Sequence, residues 1–389
     1  MRIAIFGESY LPHLSGVTVS TETLARGLAA RGHEVLLVVP RPARGRNPGS
    51  AGMPGPEPRY AWLPSYQLPR IAPLGYRMPL PLPWATALAT VDRFRPNIVH
   101  AQSPFVSGQL ARRAARRARA PLVFTHHTRF ADYRHYLGPL AGPGAALTDA
   151  YLRRFSAACA AVIAPSRDLA AEIRAERVEV IPTGVDVAGI AGREPMNPRP
   201  VAGWPQDAIV AVTMGRLAVE KSVGVVLEAV ALAAANDERL RLLVIGDGPA
   251  APTLRERAER LDLAGRVWFT GLLGHREALA SVAGCDLFVF ASLTDTQGLV
   301  LAEALACAVP VVARRGPGIA DSVRSGIDGM IVHDARALAD AIVFLVADGE
   351  RRREMAEAAR EGAVRFDLGT RIGQVEALYR DLLDRSRGR

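Results

Sequence analysis

The chain has 389 residues, of which 49% are hydrophobic, so it can build two domains with substantial cores. Its cysteines, Cys159, Cys285 and Cys307, have neither metal-binding spacing nor the pattern of a disulfide framework, which indicates a reducing cytoplasm. The net charge of +9 is concentrated in residues 1–187. It indicates either an anionic partner or simple solubility, and no alternation of basic and aromatic residues favours nucleic-acid binding.

The first half alternates strands and helices in a Rossmann-like order. It opens directly on a strand without a signal-peptide pattern, and no apolar run is long enough to span a membrane. The first loop, residues 7–16, lacks the G-x-G-x-x-G pattern of dinucleotide sites. Residues 41–83 are rich in proline and glycine and are interpreted as a long surface loop. The predicted elements are strands at 2–6, 35–39, 98–101, 122–125, 161–164 and 178–181, and helices at 17–31, 84–94, 105–119, 147–158 and 166–175.

The helix at 105–119 separates its residue types into two faces. Alanines on one face suit close packing on a sheet, whereas the arginines on the other are expected to point outward. A solvated basic face explains this pattern, and so does a docking surface for anionic phospholipid. The arginines concerned are Arg112, Arg113, Arg116, Arg117 and Arg119.

A second series of strands and helices begins after residues 192–207, a segment interpreted as a linker. Its elements are strands at 209–214, 240–245, 267–270, 287–291 and 309–313, and helices at 222–234, 251–261, 275–283, 298–307, 319–324, 335–347, 350–362 and 369–385. The two series predict an α/β protein with two Rossmann-like parallel-sheet halves that face each other across a cleft.

Acidic residues flank a predicted helix start in the second half. Asp295 falls in a strand-to-helix loop, and Glu303 falls about two turns further on, inside the helix. Unpaired N–H groups near Thr296, Gln297 and Gly298 suit a phosphate or a sugar hydroxyl. The pattern predicts a site for a phosphorylated, polyhydroxylated ligand, with a plain strand–loop–helix unit and solvated acids as the alternative.

Two cations share the loop that follows the strand at 209–214. Arg216 can grip phosphate oxygens with a fork of N–H groups, and Lys221, the single lysine of the chain, can act as a mobile point charge. Together they could neutralise a diphosphate leaving group without a metal ion, and no Asp-x-Asp or His/Asp cluster with metal spacing is present. Two ordinary surface cations are the alternative.

These motifs, taken together, resemble the retaining glycosyltransferases of family four, which have the GT-B fold of two Rossmann-like domains. In the second half the resemblance is carried by Gly215-Arg-Leu-Ala-Val-Glu-Lys221, Gly246-Asp-Gly248, Phe269-Thr-Gly271 and Asp295-x7-Glu303. In the first half it is carried by Ser15-Gly16, Ile98-Val-His-Ala-Gln-Ser-Pro104, Phe124-Thr-His-His-Thr128 and Val180-Ile-Pro-Thr-Gly-Val-Asp186. The motifs cover nearly the whole chain and stand in the family's order.

The resemblance implies that the second half holds a nucleotide-sugar donor, with no cofactor and no metal ion. Arg216 and Lys221 would bind the diphosphate, Asp295 would hold hydroxyls of the transferred sugar, and Glu303 would hold the ribose. The base would lie near Gly271 and Leu272. The other implied donor contacts are Gly16, Gly215, Gly246, Thr296, Gln297, Gly298 and Leu299. Asp295 stands where the family usually has glutamate, and this shorter side chain bears on the identity of the sugar.

The first half would receive the acceptor and supply a histidine to the site. That histidine is His127 or its neighbour His126, and a core or capping histidine is the alternative for either. The expected domains are residues 1–188 for the acceptor, a linker at 189–207, residues 208–366 for the donor, and a final helix at 367–389 that crosses back to the first domain.

The acceptor is expected from a narrower resemblance. Asp295-Thr-Gln-Gly-Leu299 and Asp132-Tyr-x-His-Tyr136 are similar to transferases that glycosylate diacylglycerol and other bacterial lipids. We therefore expect a UDP- or GDP-linked hexose to be moved to a membrane lipid or glycolipid, with Tyr133 and the basic helix on the acceptor side. The protein would be cytoplasmic and peripheral on the inner face of the plasma membrane. A soluble sugar or natural-product acceptor, or a nucleotide-sugar-binding GT-B protein that transfers nothing, are the alternatives.

Overall fold

The computed structural model describes residues 1–13, 15–42, 55–67, 77–80, 84–129 and 141–387. Contacts divide the chain into two units, Met1–Gly184 with Leu368–Arg389, and Val185–Asp367. Each unit is a parallel sheet covered by helices, which confirms the predicted α/β class with two Rossmann-like sheets. Within the described ranges, no helix is both long enough and apolar enough to cross a membrane.

In the first unit the described strands form one parallel sheet, with the order β3-β2-β1-β6-β7-β8-β9. The strands are β1 (Arg2–Phe6), β2 (Glu34–Pro40), β3 (Arg59–Leu63), β6 (Ile98–Ala101), β7 (Leu122–Thr125), β8 (Ala161–Ala164) and β9 (Val178–Val180), and a separate antiparallel pair is β4 (Ser65–Gln67) with β5 (Arg77–Pro79). The helices are α1 (Gly16–Ala30), α2 (Ala85–Phe94), α3 (Val106–Ala118), α4 (Ala141–Ser156), α5 (Arg167–Glu172) and α15 (Leu368–Arg387).

Apolar residues on both faces of β1 explain why this sheet is buried on two sides. Ala4 and Phe6 belong to the core that includes α2 and α3. Ile3 and Ile5 belong to the opposite core, which includes α1 and α15. Continuous apolar strands of this kind suit a parallel sheet between two helical layers.

The C-terminal helix α15 is part of the first unit. Its Tyr379 is fully buried, and the hydroxyl lies 2.6 Å from Nδ1 of the equally buried His100 on β6. Nε2 of His100 lies 2.7 Å from the hydroxyl of Thr125, at the end of β7. Each of these three buried polar side chains therefore has a partner, and α15 is fixed to the sheet by hydrogen bonds as well as by apolar packing.

In the second unit the described strands form a parallel sheet with the order β12-β11-β10-β13-β14-β15. The strands are β10 (Ile209–Met214), β11 (Leu240–Ile245), β12 (Val267–Gly271), β13 (Leu287–Phe290), β14 (Val311–Arg314) and β15 (Gly329–Val332). The helices are α6 (Val187–Ala191), α7 (Pro198–Val201), α8 (Val223–Ala234), α9 (Ala251–Arg260), α10 (His275–Ala283), α11 (Leu299–Ala306), α12 (Ile319–Ser322), α13 (Ala335–Ala347) and α14 (Gly349–Gly362). Strand order reverses at β10, and ligands of such sheets bind beyond the carboxyl ends of the strands at this switch point.

Two segments predicted to be irregular contain regular elements among their described residues. The expected surface loop at 41–83 contains β3, in which Tyr60 and Trp62 stack with ring centroids 4.7 Å apart while Ala61 and Leu63 are buried. The expected linker at 192–207 contains α7 and the buried Trp204, whose ring N–H donates to the carbonyl of Gly265 at 3.0 Å. The abundance of proline and glycine favoured an irregular interpretation, although α7 itself contains Pro198 and Pro200.

Candidate active site

Loops after β10, β11 and β12 lie together at the carboxyl edge of the second sheet. The backbone N–H of Gly246 donates to the carbonyl of Gly271 at 3.0 Å. Gly246 has a φ of 130°, and a Cβ there would clash with the carbonyl oxygen of Gly215, so only glycine fits. The structure therefore brings together Gly215, Gly246 and Gly271, which the family resemblance implied as donor contacts. Leu272, implied as a base contact, follows directly and is 72% exposed.

The two predicted phosphate-binding cations are paired with carboxylates at this edge. Lys221 Nζ donates to Oδ1 of Asp295 at 2.8 Å and to Oδ2 at 2.9 Å, which joins the loop after β10 to the loop after β13. Arg216 forms an ion pair with Glu220, one helical turn further along its own loop. Both cations thus lie at the switch point, and each has an acid that competes with any anionic ligand.

Glu220 is a site residue that the sequence interpretation did not single out. Its side chain is 1% exposed, and it fixes Arg216 by the ion pair. Its carbonyl oxygen accepts hydrogen bonds from the hydroxyls of Ser292 and Thr294, each at 3.4 Å. Glu220 therefore ties the arginine loop to the Asp295 loop. The signal was present, since a glutamate directly before the single lysine can pair with an arginine four residues earlier.

The start of α11 lies directly after Asp295. Gly298 is the residue before the helix and has a φ of 65°, a left-handed conformation that favours glycine. The carbonyl of the buried Gln297 accepts a hydrogen bond from the Ser322 hydroxyl at 2.7 Å, which holds the backbone in place. Thr296 and Leu299 flank these two residues, so the predicted donor contacts of this segment form one continuous stretch beside the Lys221–Asp295 pair.

Glu303 lies inside α11 and is 5% exposed. Its Oε1 is 3.6 Å from Nε2 of His275, the first residue of α10. Burial raises the pKa of Glu303 to about 8, although the charge of Arg193 opposes part of this rise. Burial and the same arginine lower the pKa of His275. The sequence interpretation did not predict His275 or Arg193 as neighbours of Glu303. His275 could have been proposed as a site residue, because it closely follows the predicted base contacts.

In the first unit, the histidine pair follows β7 and its two rings have different surroundings. His126 is buried and stacks on Phe124 with centroids 5.3 Å apart. His127 is half-buried, and its Nε2 lies 2.7 Å from Oε1 of Gln102, in the loop after β6. Burial lowers the pKa of both histidines, so both are neutral at pH 7. The geometry therefore favours His127 as the member of the pair that a substrate can reach.

Gly16 is the first residue of α1. Ser15 caps this helix, because its hydroxyl accepts a hydrogen bond from the backbone N–H of Thr18 at 3.2 Å. A Cβ added at Gly16 would meet no atom within 4 Å. The backbone at Gly16 is thus open on this side, as a close approach by a phosphate requires.

The arginines of α3 are not equivalent, although most of them are exposed as expected. The exposed ones are Arg113, Arg116, Arg117 and, directly after the helix, Arg119. Arg117 is committed to Asp92 through an ion pair and an Nε–Oδ1 hydrogen bond of 3.1 Å. Arg112 is half-buried, and its Nε is enclosed. Tyr133, predicted on the same side, lies outside the described residues.

In a comparison with known proteins, each half of the chain matches a glycosyltransferase family model. Residues 14–188 match the model described as Glycosyltransferase Family 4, and residues 197–362 match that of Glycosyl transferases group 1. The chain is 27% identical to an alpha-monoglucosyldiacylglycerol synthase of Acholeplasma laidlawii, with 99% of this chain and 98% of that protein aligned. It is 30% identical to a GDP-mannose-dependent alpha-mannosyltransferase of Mycolicibacterium smegmatis, with 92% of each chain aligned.

A solved structure shows the same fold. HepE of Anabaena, in complex with UDP-glucose, aligns with a TM-score of 0.72 at 20% identity, over 98% of this chain and all of the other. This likeness confirms the predicted GT-B fold. With both family models and a relative of 30% identity aligned over nearly its full length, the chain belongs to the family-four glycosyltransferases.

Proposed function

We propose that this glycosyltransferase is a retaining, metal-independent enzyme that moves a hexose from a UDP- or GDP-linked donor to a hydroxyl of a membrane lipid or glycolipid. The observation that carries the proposal is the Lys221–Asp295 pair beside Arg216, at the switch point of the second sheet. One similar protein is named for a glucosylated diacylglycerol and another for GDP-mannose. The first name supports a lipid acceptor. The second supports a GDP-linked donor, and the UDP-glucose complex of HepE keeps a UDP-linked donor as the other candidate.

The donor would exchange partners with the charged groups of the site. A diphosphate that reaches Arg216 and Lys221 competes with Glu220 and Asp295 for the two cations. Once displaced from Lys221, the carboxylate of Asp295 can accept hydrogen bonds from hydroxyls of the transferred sugar. In the same complex, Glu303 accepts hydrogen bonds from the ribose. The exchange gives both cations a new anionic partner and gives Asp295 hydroxyl donors, which limits the cost of desolvation at these three groups.

The transfer itself breaks the bond between the anomeric carbon and the donor phosphate oxygen. The acceptor oxygen bonds to the same carbon from the same face, and the acceptor proton passes to the leaving phosphate. Arg216 and Lys221 stabilise the negative charge that grows on the diphosphate, which is the type of interaction that contributes most to catalysis. The neutral His127 can orient a substrate hydroxyl without adding charge.

Donor binding and metal independence can be tested together. A nucleotide-sugar that binds the native state raises the melting temperature. We expect a UDP- or GDP-sugar to do so, and we expect transfer to continue in excess chelator because two side-chain cations replace a divalent ion. The described ranges hold no group of three or more metal-ligating side chains. Loss of turnover in chelator, restored by magnesium or manganese, would contradict metal independence, and no thermal shift with any nucleotide-sugar would contradict the donor site.

Membrane docking through α3 gives a further prediction. Changing Arg113 and Arg116 to glutamine removes two of the exposed charges and leaves the alanine face intact. Each cation near an anionic surface contributes about 1 kcal/mol, so affinity for anionic vesicles should fall by about thirtyfold at low salt. The matched control changes the exposed Arg353 and Arg360 of α14 and should bind normally. If the wild-type protein does not bind anionic vesicles at low salt, membrane docking through α3 is wrong.

A further inference from the structure

An apolar surface lies between the start of α3 and the middle of α4. Phe105, directly before α3, is 38% exposed, and Leu147 on α4 is 72% exposed. The ring of Phe105 stacks on Tyr151 of α4, with centroids 6.0 Å apart and planes within 3°. Leu147 precedes Tyr151 by one helical turn and so lies on the same side of α4. We name these three residues the apolar face.

Hydrogen bonds hold this face in position. The Tyr151 hydroxyl accepts a hydrogen bond from Nε2 of Gln109 at 2.6 Å and donates one to the carbonyl of Pro104 at 2.5 Å. The ring is therefore fixed at its polar end, and Phe105 rests against it. A contiguous apolar surface that is rigid and outward-facing is more typical of a binding site than of a scattered exposed side chain.

The apolar face lies close to His127, the histidine predicted to face the substrate. Gln102, which contacts Nε2 of His127, lies in the loop between β6 and α3. Phe105 follows Gln102 by three residues in that loop, and three residues span at most about 10 Å. A molecule with a hydroxyl near His127 and a tail of a few carbon atoms would therefore reach Phe105.

Cationic residues follow the apolar face along the same two helices. Arg113 and Arg116 are exposed on α3, and Arg153 and Arg154 are exposed in the last turn of α4. On each helix the basic residues thus come after the apolar ones. This arrangement complements a layer in which hydrocarbon lies beside anionic headgroups. A free sugar offers no hydrocarbon for Leu147 to cover.

We propose that the apolar face of Phe105, Leu147 and Tyr151 binds a hydrocarbon chain of the acceptor and so selects acylated acceptors. This rests on the proposed transfer to a lipid hydroxyl. Each methylene that the face covers should strengthen binding about fourfold. Lengthening the acceptor chain should therefore lower the KM for the acceptor, while the KM for the donor stays constant.

The test uses dibutyryl-, dihexanoyl- and dioctanoylglycerol as dispersed acceptors of one headgroup. In the wild type, the acceptor KM should fall steadily along this series. Leu147→Ser removes the most exposed apolar group of the face without opening a core, and should reduce the dependence on chain length severalfold. Phe105→Ser should do the same, with its folding checked by thermal melting. The matched control, Leu232→Ser, changes a 46% exposed leucine on α8 and should keep the wild-type dependence.

The outcomes distinguish a failure of this proposal from a failure of the proposed lipid acceptor. If transfer occurs and both variants keep the wild-type dependence on chain length, the apolar face is not the site, although a lipid acceptor stands. If the wild type transfers to a soluble sugar and to none of the three diacylglycerols, the lipid acceptor itself is wrong and this proposal falls with it.

Discussion

Replacing Lys221 with alanine is expected to lower turnover by about two to four orders of magnitude, because it removes a preorganised charge from the leaving diphosphate. Lys221 Nζ lies 2.8 and 2.9 Å from the Asp295 oxygens, so the variant also leaves this carboxylate without its counter-charge. Arg216→Ala should cause a loss of similar size and should release Glu220 from its ion pair. The measurement is turnover at saturating donor and acceptor.

The control for this prediction is Arg336→Ala. Arg336 is 76% exposed in its side chain and pairs with Asp340 on α13, so it tests removal of a surface cation alone. Thermal melting should show that all three variants fold. Near-normal turnover in Lys221→Ala would mean that the diphosphate binds elsewhere.

The second large effect concerns Glu303 and pH. Ribose hydroxyls donate hydrogen bonds, so they favour the ionised carboxylate. Because burial raises the Glu303 pKa to about 8, the side chain is largely protonated at pH 7. Donor affinity in the wild type should therefore rise with pH, by up to tenfold per unit below the pKa, and level off above it. Glu303→Gln keeps the shape but loses the charge, and should weaken donor binding about tenfold to a hundredfold above the pKa.

The shape of the pH profile distinguishes this role from simple packing. Glu303→Gln should bind the donor with an affinity that no longer rises around pH 8, whereas Glu228→Gln, at a position of α8 whose side chain is 40% exposed, should keep the wild-type profile. His275 and Arg193 are the charged or titratable neighbours that influence Glu303 most directly among the described residues. A wild-type donor affinity that is flat across this range would contradict ribose binding by an ionised Glu303.

Much of the fold was predictable because its strands are short apolar runs between clear turn signals. Strand β10 and helices α10 and α13 have the predicted bounds. Strand β15 was missed because Gly329–Val332 is too short to show a period, and its place depends on pairing with β14. Strand β3 shows the same limit, since stacking between Tyr60 and Trp62 is a tertiary contact that composition does not reveal.

For the candidate site, the sequence supplied the residue types but not their partners. Lys221 and Asp295 were both singled out, yet their contact spans 74 positions and arises only because β10 and β13 are neighbours in the sheet. The approach of His275 to Glu303 likewise depends on how α10 packs beside α11. Helical periodicity placed the arginines of α3 on one face but did not reveal that the Nε of Arg112 is enclosed. Pairing of this kind depends on topology, which local patterns do not encode.

The most direct test of the account is the structure of the product. Purified protein would be incubated with UDP-glucose or GDP-mannose, excess chelator and anionic vesicles that contain diacylglycerol, and the glycolipid would be analysed by NMR. Both donors carry the sugar in α-linkage, so the account predicts an α-linked glycolipid. A β-linked product would contradict retention. Consumption of the donor without any glycolipid, or transfer to soluble acceptors alone, would contradict the lipid acceptor.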